Sequence, residues 1–283
     1  MLESIVIIDR PGQKASVRAA LEHMVLFEWL YAAGKQGPNP HVHRLHTDCF
    51  YVIRGALTLS LADGDRTVGP GTTVFIPPNV VHTFRNDGPD EVLFLNIHAP
   101  GVSFDRYLRE SQGLGETDQI VLAERYDQYP APESGSLDPA AVIVRTARTD
   151  AVCVEGLEVG FLLDADETLG AIGLIELTMP PSSPGLPARV HADTCHVLYV
   201  LEGQVAVRSG DGHHVLEAGD GAVVPPGIVY GLSNATDTQA RLLDVHAPGG
   251  FERFFRECAA AANGLHDPAT MAEIASRYDM KLM

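Results

Sequence analysis

Two histidines separated by one residue, His41 and His43, are followed by Asp48, and a further histidine, His82, closes the run GTTVFIPPNVVH that begins at Gly71. Residues two apart in an extended strand point to the same face, so His41 and His43 can aim both imidazoles into one space. Neutral imidazole and carboxylate are the usual protein ligands of divalent transition metals. Three histidines and one carboxylate, carried on different strands but facing inward, would hold one ion inside a barrel. On an ion that accepts about six donors, four protein ligands leave positions open, and open positions distinguish a catalytic site from a closed structural one.

The surrounding sequence supplies the strands. Short β-branched and aromatic runs, among them Phe50–Ile53, Leu57–Leu61, Thr73–Ile76, Glu91–Ile97, Leu198–Leu201 and Gln204–Arg208, are broken by Gly, Pro, Asn and Asp. That is the pattern of an antiparallel barrel or jelly roll. Ala62-Asp63-Gly64-Asp65 and Gly210-Asp211-Gly212 read as hairpin tips. Pro77-Pro78 and Pro225-Pro226 end strands, because proline cannot donate to a sheet ladder. If Asp48 points inward, parity sends Phe50 and Val52 inward with it and Tyr51 outward; Phe84 shares the face of His82. Trp29 and Phe27 lie on an earlier strand that could line the cavity. An apolar pocket with a few converging polar groups suits a small organic ligand, and the site is read as substrate-binding through Phe50, Phe84 and Trp29.

The chain repeats itself at a spacing of 148 residues: Gly37 with Gly185, Gly55 with Gly203, Gly71 with Gly219, Pro77-Pro78 with Pro225-Pro226, Asn86 with Asn234, and His98-Ala99-Pro100-Gly101 with His246-Ala247-Pro248-Gly249. Fixed-offset similarity over so long a period marks a duplicated domain. We therefore expect two barrels, residues 1–130 and 140–283, joined by the Pro- and Ser-rich linker Asp127 to Pro139. Each barrel is followed by a short helix, with apolar stripes at Phe104, Tyr107 and Leu108 and at Phe251, Phe254 and Phe255. A last helix should open at Asp267-Pro268, with Met271, Ile274, Ala275 and Tyr278 docked on the body.

The two motifs resemble those of the cupin family, G(X)5HXH(X)3–4E(X)6G and G(X)5PXG(X)2H(X)3N. His41, His43 and Gly55 match the first motif, with Asp48 where Glu is usual; three residues rather than five separate Gly37 from His41. Gly71, Pro77, His82 and Asn86 match the second, with Asn79 in place of the middle Gly, an exchange Asn tolerates because it accepts positive φ. The resemblance is to a two-domain bicupin. It implies an all-β fold of two tandem double-stranded β-helix barrels with short C-terminal helices. The N-terminal site resembles that of quercetinase-like cupins, in which a flavonol or enol oxygen binds the metal and the carboxylate ligand doubles as base. Carried over, Asp48 takes that catalytic role and His41, His43 and His82 are ligands. Asp is one methylene shorter than Glu, so Asp48 could instead act from just outside the ligand set. The family motif does not use His46, which is read as a surface or loop residue.

At the equivalent positions of the second copy stand Arg189, His191, His196 and Tyr230. Arginine stays protonated and cannot ligate a metal. The second barrel is therefore expected to be metal-free, its pocket either packed as core or holding a small anion against Arg189. His98 and His246 repeat where the metal motif does not, which points to a structural hydrogen bond.

Composition bounds the partners. The formal charge of −17 argues against nucleic acid and anionic membranes. No uninterrupted apolar stretch of about 20 residues is present, and the N-terminus lacks the pattern of a secretory signal. A cytoplasmic protein acting on a small molecule is expected, with a homodimer left open. Cys49, Cys153, Cys195 and Cys258 form no metal-binding spacing; Cys49 and Cys195 are read as buried apolar residues, and His23, His213, His214 and His266 as surface residues. Three functions remain: a metal-dependent dioxygenase on an aromatic or enolisable substrate, an isomerase or cyclase using the ion as Lewis acid, and a non-enzymatic binding bicupin. Iron, nickel, manganese, copper, cobalt and zinc all suit the mixed ligand set.

Overall fold

The structure, a computed structural model, describes residues 5–131, 141–145, 149–210, 212–261 and 268–283. They form two compact units, within Glu3–Ala147 and Arg148–Met283. The first contains β1 Ile5–Arg10, β2 Gln13–Ala20, β3 Val25–Tyr31, β4 His41–Val42, β5 Thr47–Arg54, β6 Leu57–Leu61, β7 Gly64–Val68, β8 Thr73–Ile76, β9 His82–Arg85, β10 Val92–Ala99, α1 Phe104–Glu110, α2 Glu116–Arg125, β11 Tyr129–Pro130 and β12 Ile143–Arg145. The second contains β13 Thr149–Val154, β14 Leu157–Leu163, β15 Gly173–Met179, β16 Arg189–His191, β17 Cys195–Glu202, β18 Gln204–Ser209, β19 Gly212–Glu217, β20 Gly221–Val224, β21 Tyr230–Ser233, β22 Ala240–Ala247, α3 Glu252–Ala260, α4 Pro268–Ala275 and β23 Met280–Leu282.

Each unit is a jelly roll of two antiparallel sheets. In the first, the strand orders are β1-β2-β3-β10-β5-β8-β12 and β11-β4-β9-β6-β7; in the second, β13-β14-β15-β22-β17-β20 and β19-β18-β21-β16-β23. The core strands therefore repeat in order as well as in sequence. Strand parity sets what faces inward. Along β9, His82 and Phe84 are buried while Thr83 and Arg85 are half-buried. β5 lies between β10 and β8, and its first six residues are buried on both faces. Phe50 and Val52 join the interior cluster with Phe27, Trp29, Phe84 and Phe94. Cys49 and Tyr51 are buried on the opposite face.

The motif residues that carry no metal-binding group tie the strands together. A Cβ on Gly37 would lie 1.9 Å from the Phe84 carbonyl oxygen, and one on Gly185 would lie 1.9 Å from that of Leu232, so only glycine lets these backbones approach. Asn79 has φ 70, and its N–H donates to the His43 carbonyl at 2.6 Å; Gly227, with φ 80, makes the same bond to His191 at 2.7 Å. Asn79 thus does the work of the glycine its twin retains. Asn86 is fully buried and its amide donates to the carbonyls of Tyr31, Ala32 and Asp90, while Asn234 donates to those of Met179, Pro180 and Thr238.

Two expectations change. α2 was not foreseen, because its apolar residues make only a weak stripe. Asp127 to Pro130, expected to open the linker, instead fold back, and β11 pairs with β4; the linker residues 132–139 lie outside the described residues, as does Asp267 before α4. No helix among the described residues is long and apolar enough to cross a membrane.

Because each motif asparagine is buried and its amide is shared among three backbone carbonyls, Asn86→Ala and Asn234→Ala should each destabilise the chain by about 1–3 kcal/mol in urea unfolding. Little change from either would mean that water replaces the amide without cost.

Candidate metal centre

The two sheets of the first unit deliver the four candidate ligands to one point. β4 and β9 place His41 directly opposite His82, His43 follows β4, and β5 brings Asp48 from the other sheet. The ligand atoms of His41, His43, Asp48 and His82 all lie within 4.8 Å of one another, and none of the four residues is more than 4% exposed. The shorter Asp side chain reaches the group.

Each imidazole is oriented through the nitrogen it turns away. Nδ1–H of His41 donates to the Asn39 carbonyl at 2.9 Å, that of His43 to the Asp127 carbonyl at 2.7 Å, and that of His82 to the Val80 carbonyl at 3.0 Å. A carbonyl can only accept, so Nδ1 carries a proton in each ring, and in the neutral form the lone pair is then on Nε2. Nε2 of His43 is buried without a partner. Nε2 of His82 stands 3.1 Å from Oδ2 of Asp48, and Nε2 of His43 stands 3.9 Å from the same oxygen. Acceptors facing one another in a dry interior need a positive centre between them, and a divalent transition metal fits this donor set. Burial lowers the His41 pKa to about 3, with help from the neighbouring His82, and holds His43 well below the ordinary histidine value. Burial pushes Asp48 up, but the imidazoles of His98, His82 and His41 outweigh it and keep the carboxyl below its usual range. His41 and His43 thus favour the neutral, ligating form and the acid favours the anion.

A supporting layer was largely invisible in the sequence. Asn96, next to its alternate neighbour His98 on β10, donates its amide to Oδ1 of Asp48 and accepts Nε2–H of His98 at 2.9 Å. Oδ2 is thereby left to face the imidazoles. Asp127, with φ 61, accepts the N–H groups of Arg44, Leu45 and His46 at 2.8–3.2 Å and the Nδ1–H of His46 at 2.8 Å. His46 is therefore no surface residue; it is fully buried against Asp127, with its ring 4.0 Å from that of His43. The second unit repeats the device with Asp279, φ 54, which accepts from Ala192, Asp193 and Thr194. The signal was present as Arg125-Tyr126-Asp127 and Arg277-Tyr278-Asp279, displaced from the 148-residue spacing and so overlooked.

A cavity of about 360 Å³ reaches His41 and Asp48, with Trp29, Tyr31, Phe84 and Tyr107 in its walls. Phe50 is not among its lining residues: it packs behind Phe84, ring centroids 5.0 Å apart, and belongs to the core.

The second unit redistributes the same positions. Arg189 pairs opposite Tyr230, its Nε donates to the Tyr230 hydroxyl at 3.2 Å, and its guanidinium carbon lies 4.3 Å from the Tyr230 ring centre. His196 donates Nδ1–H to Asp244 at 2.8 Å, and His246 bonds Glu252 at 2.8 Å and lies 3.7 Å from Asp244. Although burial works against it, the two carboxylates raise His246 to about 9. His196, Asp244 and His246 form a further group with metal-ligand spacing, in which Nε2 of His246 is already bonded to Glu252.

A family model described as Cupin domain matches residues 27–98 and 175–246. The chain is 22% identical over 249 residues to quercetin 2,3-dioxygenase from Aspergillus japonicus, covering 69% of this chain and 71% of the relative. Oxalate decarboxylase from Bacillus subtilis superposes with a TM-score of 0.58 at 15% identity, covering 86% of this chain and 74% of that one. Procruciferin, an 11S globulin from Brassica napus, gives 0.61 at 13% identity, covering 87% and 83%. At these identities the structural matches speak for the fold alone.

Asp127 holds His43 and the backbone beside it without touching the ligand atoms. Asp127→Ala should weaken metal binding about 10–100-fold, read by competition with a chelator, while Asp279→Ala leaves affinity unchanged. The two interiors should also differ in pH response. Unfolded histidine titrates near 6.5. His41, His43 and His98 are depressed, so the stability they contribute to the metal-free chain is lost as pH falls from about 6.5 toward about 3. His246 is raised, so its contribution is full below about 6.5 and lost as pH rises through about 9. Urea midpoints across this range should fall on both sides of neutrality, and Glu252→Gln should move the alkaline fall to lower pH.

Proposed function

The chain belongs to the cupin family, and from that premise we propose that its first barrel holds one divalent transition metal through His41, His43, Asp48 and His82 and catalyses oxygen-dependent cleavage of a small aromatic or enolisable substrate. The observation that carries the reading is the set of buried acceptors, two of them 3.1 Å apart, turned toward one point with every Nδ1 already committed. The likeness to quercetin 2,3-dioxygenase supports oxygen chemistry over the alternatives. A bound ion of this class supplies Lewis acidity toward a substrate oxygen and, where redox-active, electron exchange with dioxygen.

The chain's own residues do the rest. The cavity gives a planar substrate access to His41 and Asp48 between the rings of Trp29, Tyr31 and Phe84, which exclude water from the reacting end. Asp48 lies at the inner end of that cavity, so its carboxylate can take the proton of an enolic or phenolic hydroxyl. Asn96 holds Oδ1 of Asp48 and so fixes the orientation of the carboxylate. Cys49 takes no part: it is fully buried on the other face of β5, and burial pushes its thiol well above the ordinary range.

Elemental analysis of the full-length chain purified from its native host, with oxygen uptake on flavonols and enediols, tests the reading. One equivalent of a redox-active metal and oxygen consumption are expected. Zinc without oxygen uptake would replace the dioxygenase by an isomerase or cyclase. His82→Ala should remove most bound metal and His196→Ala little; equal losses would assign metal to both barrels.

A further inference from the structure

The outer part of the same cavity has a composition unlike the rest of the chain. Acidic residues number 37 against 20 Lys and Arg overall, yet among the described residues lining this cavity the one acid is Asp48 at its inner end, while Arg10 and Lys35 contribute positive charge. An outer wall with Arg10 and Lys35 and no carboxylate, on so acidic a protein, favours the approach of an anion.

The polar groups of the walls are biased the same way. Arg10 donates through Nε and Nη2 to Oε1 of Gln13, at 2.9 and 2.6 Å, which turns the Gln13 amide nitrogen toward the Tyr31 hydroxyl at 3.1 Å. The phenol oxygen thus already accepts a bond, and its remaining capacity is to donate its own proton. Burial pushes the Tyr31 hydroxyl well above the ordinary phenol range, so that proton stays. Beside it, Nε1–H of Trp29 is buried without a partner, on a residue 5% exposed. Trp29 Nε1–H, Tyr31 O–H and the Arg10 and Lys35 cations are all donors. A buried donor left unmade is costly, so the ligand must bring acceptors. The second barrel lacks this wall: at the 148-residue spacing Trp29, Tyr31 and Lys35 correspond to Leu177, Met179 and Ser183.

We propose that the substrate carries a carboxylate, or an equivalent compact anion, on the end opposite its metal-directed hydroxyls, and that Arg10, Lys35, Tyr31 and Trp29 recognise it. This rests on the metal centre proposed above. The ligand class is a hydroxylated aromatic or enolic acid, its hydroxyl end reaching toward His41 and Asp48 and its anion held at the wider part of the cavity. A neutral flavonol meets the aromatic walls and brings acceptors, but carries no charge to answer Arg10 and Lys35.

Trp29 is the single tryptophan of the chain, which gives a readout independent of turnover. The full-length chain is loaded with cobalt(II) and titrated with catechol and with 3,4-dihydroxybenzoate, following both the cobalt absorption bands and Trp29 fluorescence. The acid should bind about tenfold tighter than catechol or better. That advantage should shrink with added salt and vanish in the double variant Arg10→Gln/Lys35→Gln, whose cobalt bands before ligand is added stay as in the parent. Equal affinity for the two probes, or an advantage that survives the double variant, overturns the inference while leaving the metal centre standing. A chain that takes up no cobalt overturns the metal centre itself.

Discussion

Three imidazoles and a carboxylate can share a few cubic ångströms of dry interior only if their lone pairs are aimed, and the aiming is done by backbone carbonyls. Asn39, Asp127 and Val80 each accept one Nδ1–H, so in each neutral ring Nε2 presents its lone pair to the others. Those carbonyls are fixed by the sheet and by the Asp127 turn, not by the ligands themselves. Neutral rings so arranged beside a carboxylate are costly without a cation between them, which is the basis for reading the site as a candidate metal centre. Replacing a ligand removes a donor; disturbing a carbonyl frees a ring to rotate and adopt the other tautomer.

The duplicated barrel is an internal control on this reasoning. Its strands, its motif glycines and its buried asparagine are retained, so whatever differs is not needed to fold a jelly roll. What differs is charge. The first interior gathers five buried histidines, His41, His43, His46, His82 and His98, beside the carboxylates of Asp48 and Asp127; Asp127 is neutralised by three backbone donors and His46, leaving Asp48 facing lone pairs. The second interior moves the acid from the position of Asp48 to that of Asn96, as Asp244, and adds Glu252. It sets against these a guanidinium at Arg189, in the position of His41, and His246, which bonds Glu252 at 2.8 Å and lies 3.7 Å from Asp244.

The architecture was legible because two strong signals agreed: period-two strands with turn residues between them, and a repeat whose glycines and prolines mark where the strands stop. The ligand quartet was legible for the same reason, since fixed spacing on strands fixes facing. What could not be read was everything that depends on a residue far along the chain. Asp127 looked like the opening of a polar linker, and its role follows from a positive φ and a return to β4 across more than eighty residues. His46 looked dispensable because the acid that buries it was unassigned. Phe50 faced inward as parity required, but facing inward does not decide between wall and core; Phe84 stands in front of it. Asn96 was hidden in an apolar run whose pattern is a strand with or without it.

The Asp127 turn also bears on what counts as the first domain. The strand core ends at β10, yet the centre is incomplete there, because His43 has no acceptor for Nδ1 and the Arg44–His46 backbone has no anion until α2 delivers Asp127. The second unit closes in the same order, with α4 delivering Asp279 to the backbone of Ala192 to Thr194. In both, a helix and a short returning strand added after the barrel finish the loop that follows the HXH segment or its remnant. That the closure persists in a barrel whose ligands have changed shows that it serves the loop first and the ligands second. The candidate quartet of the first barrel is thus built on a structural clasp that the second barrel keeps with other residues in those positions.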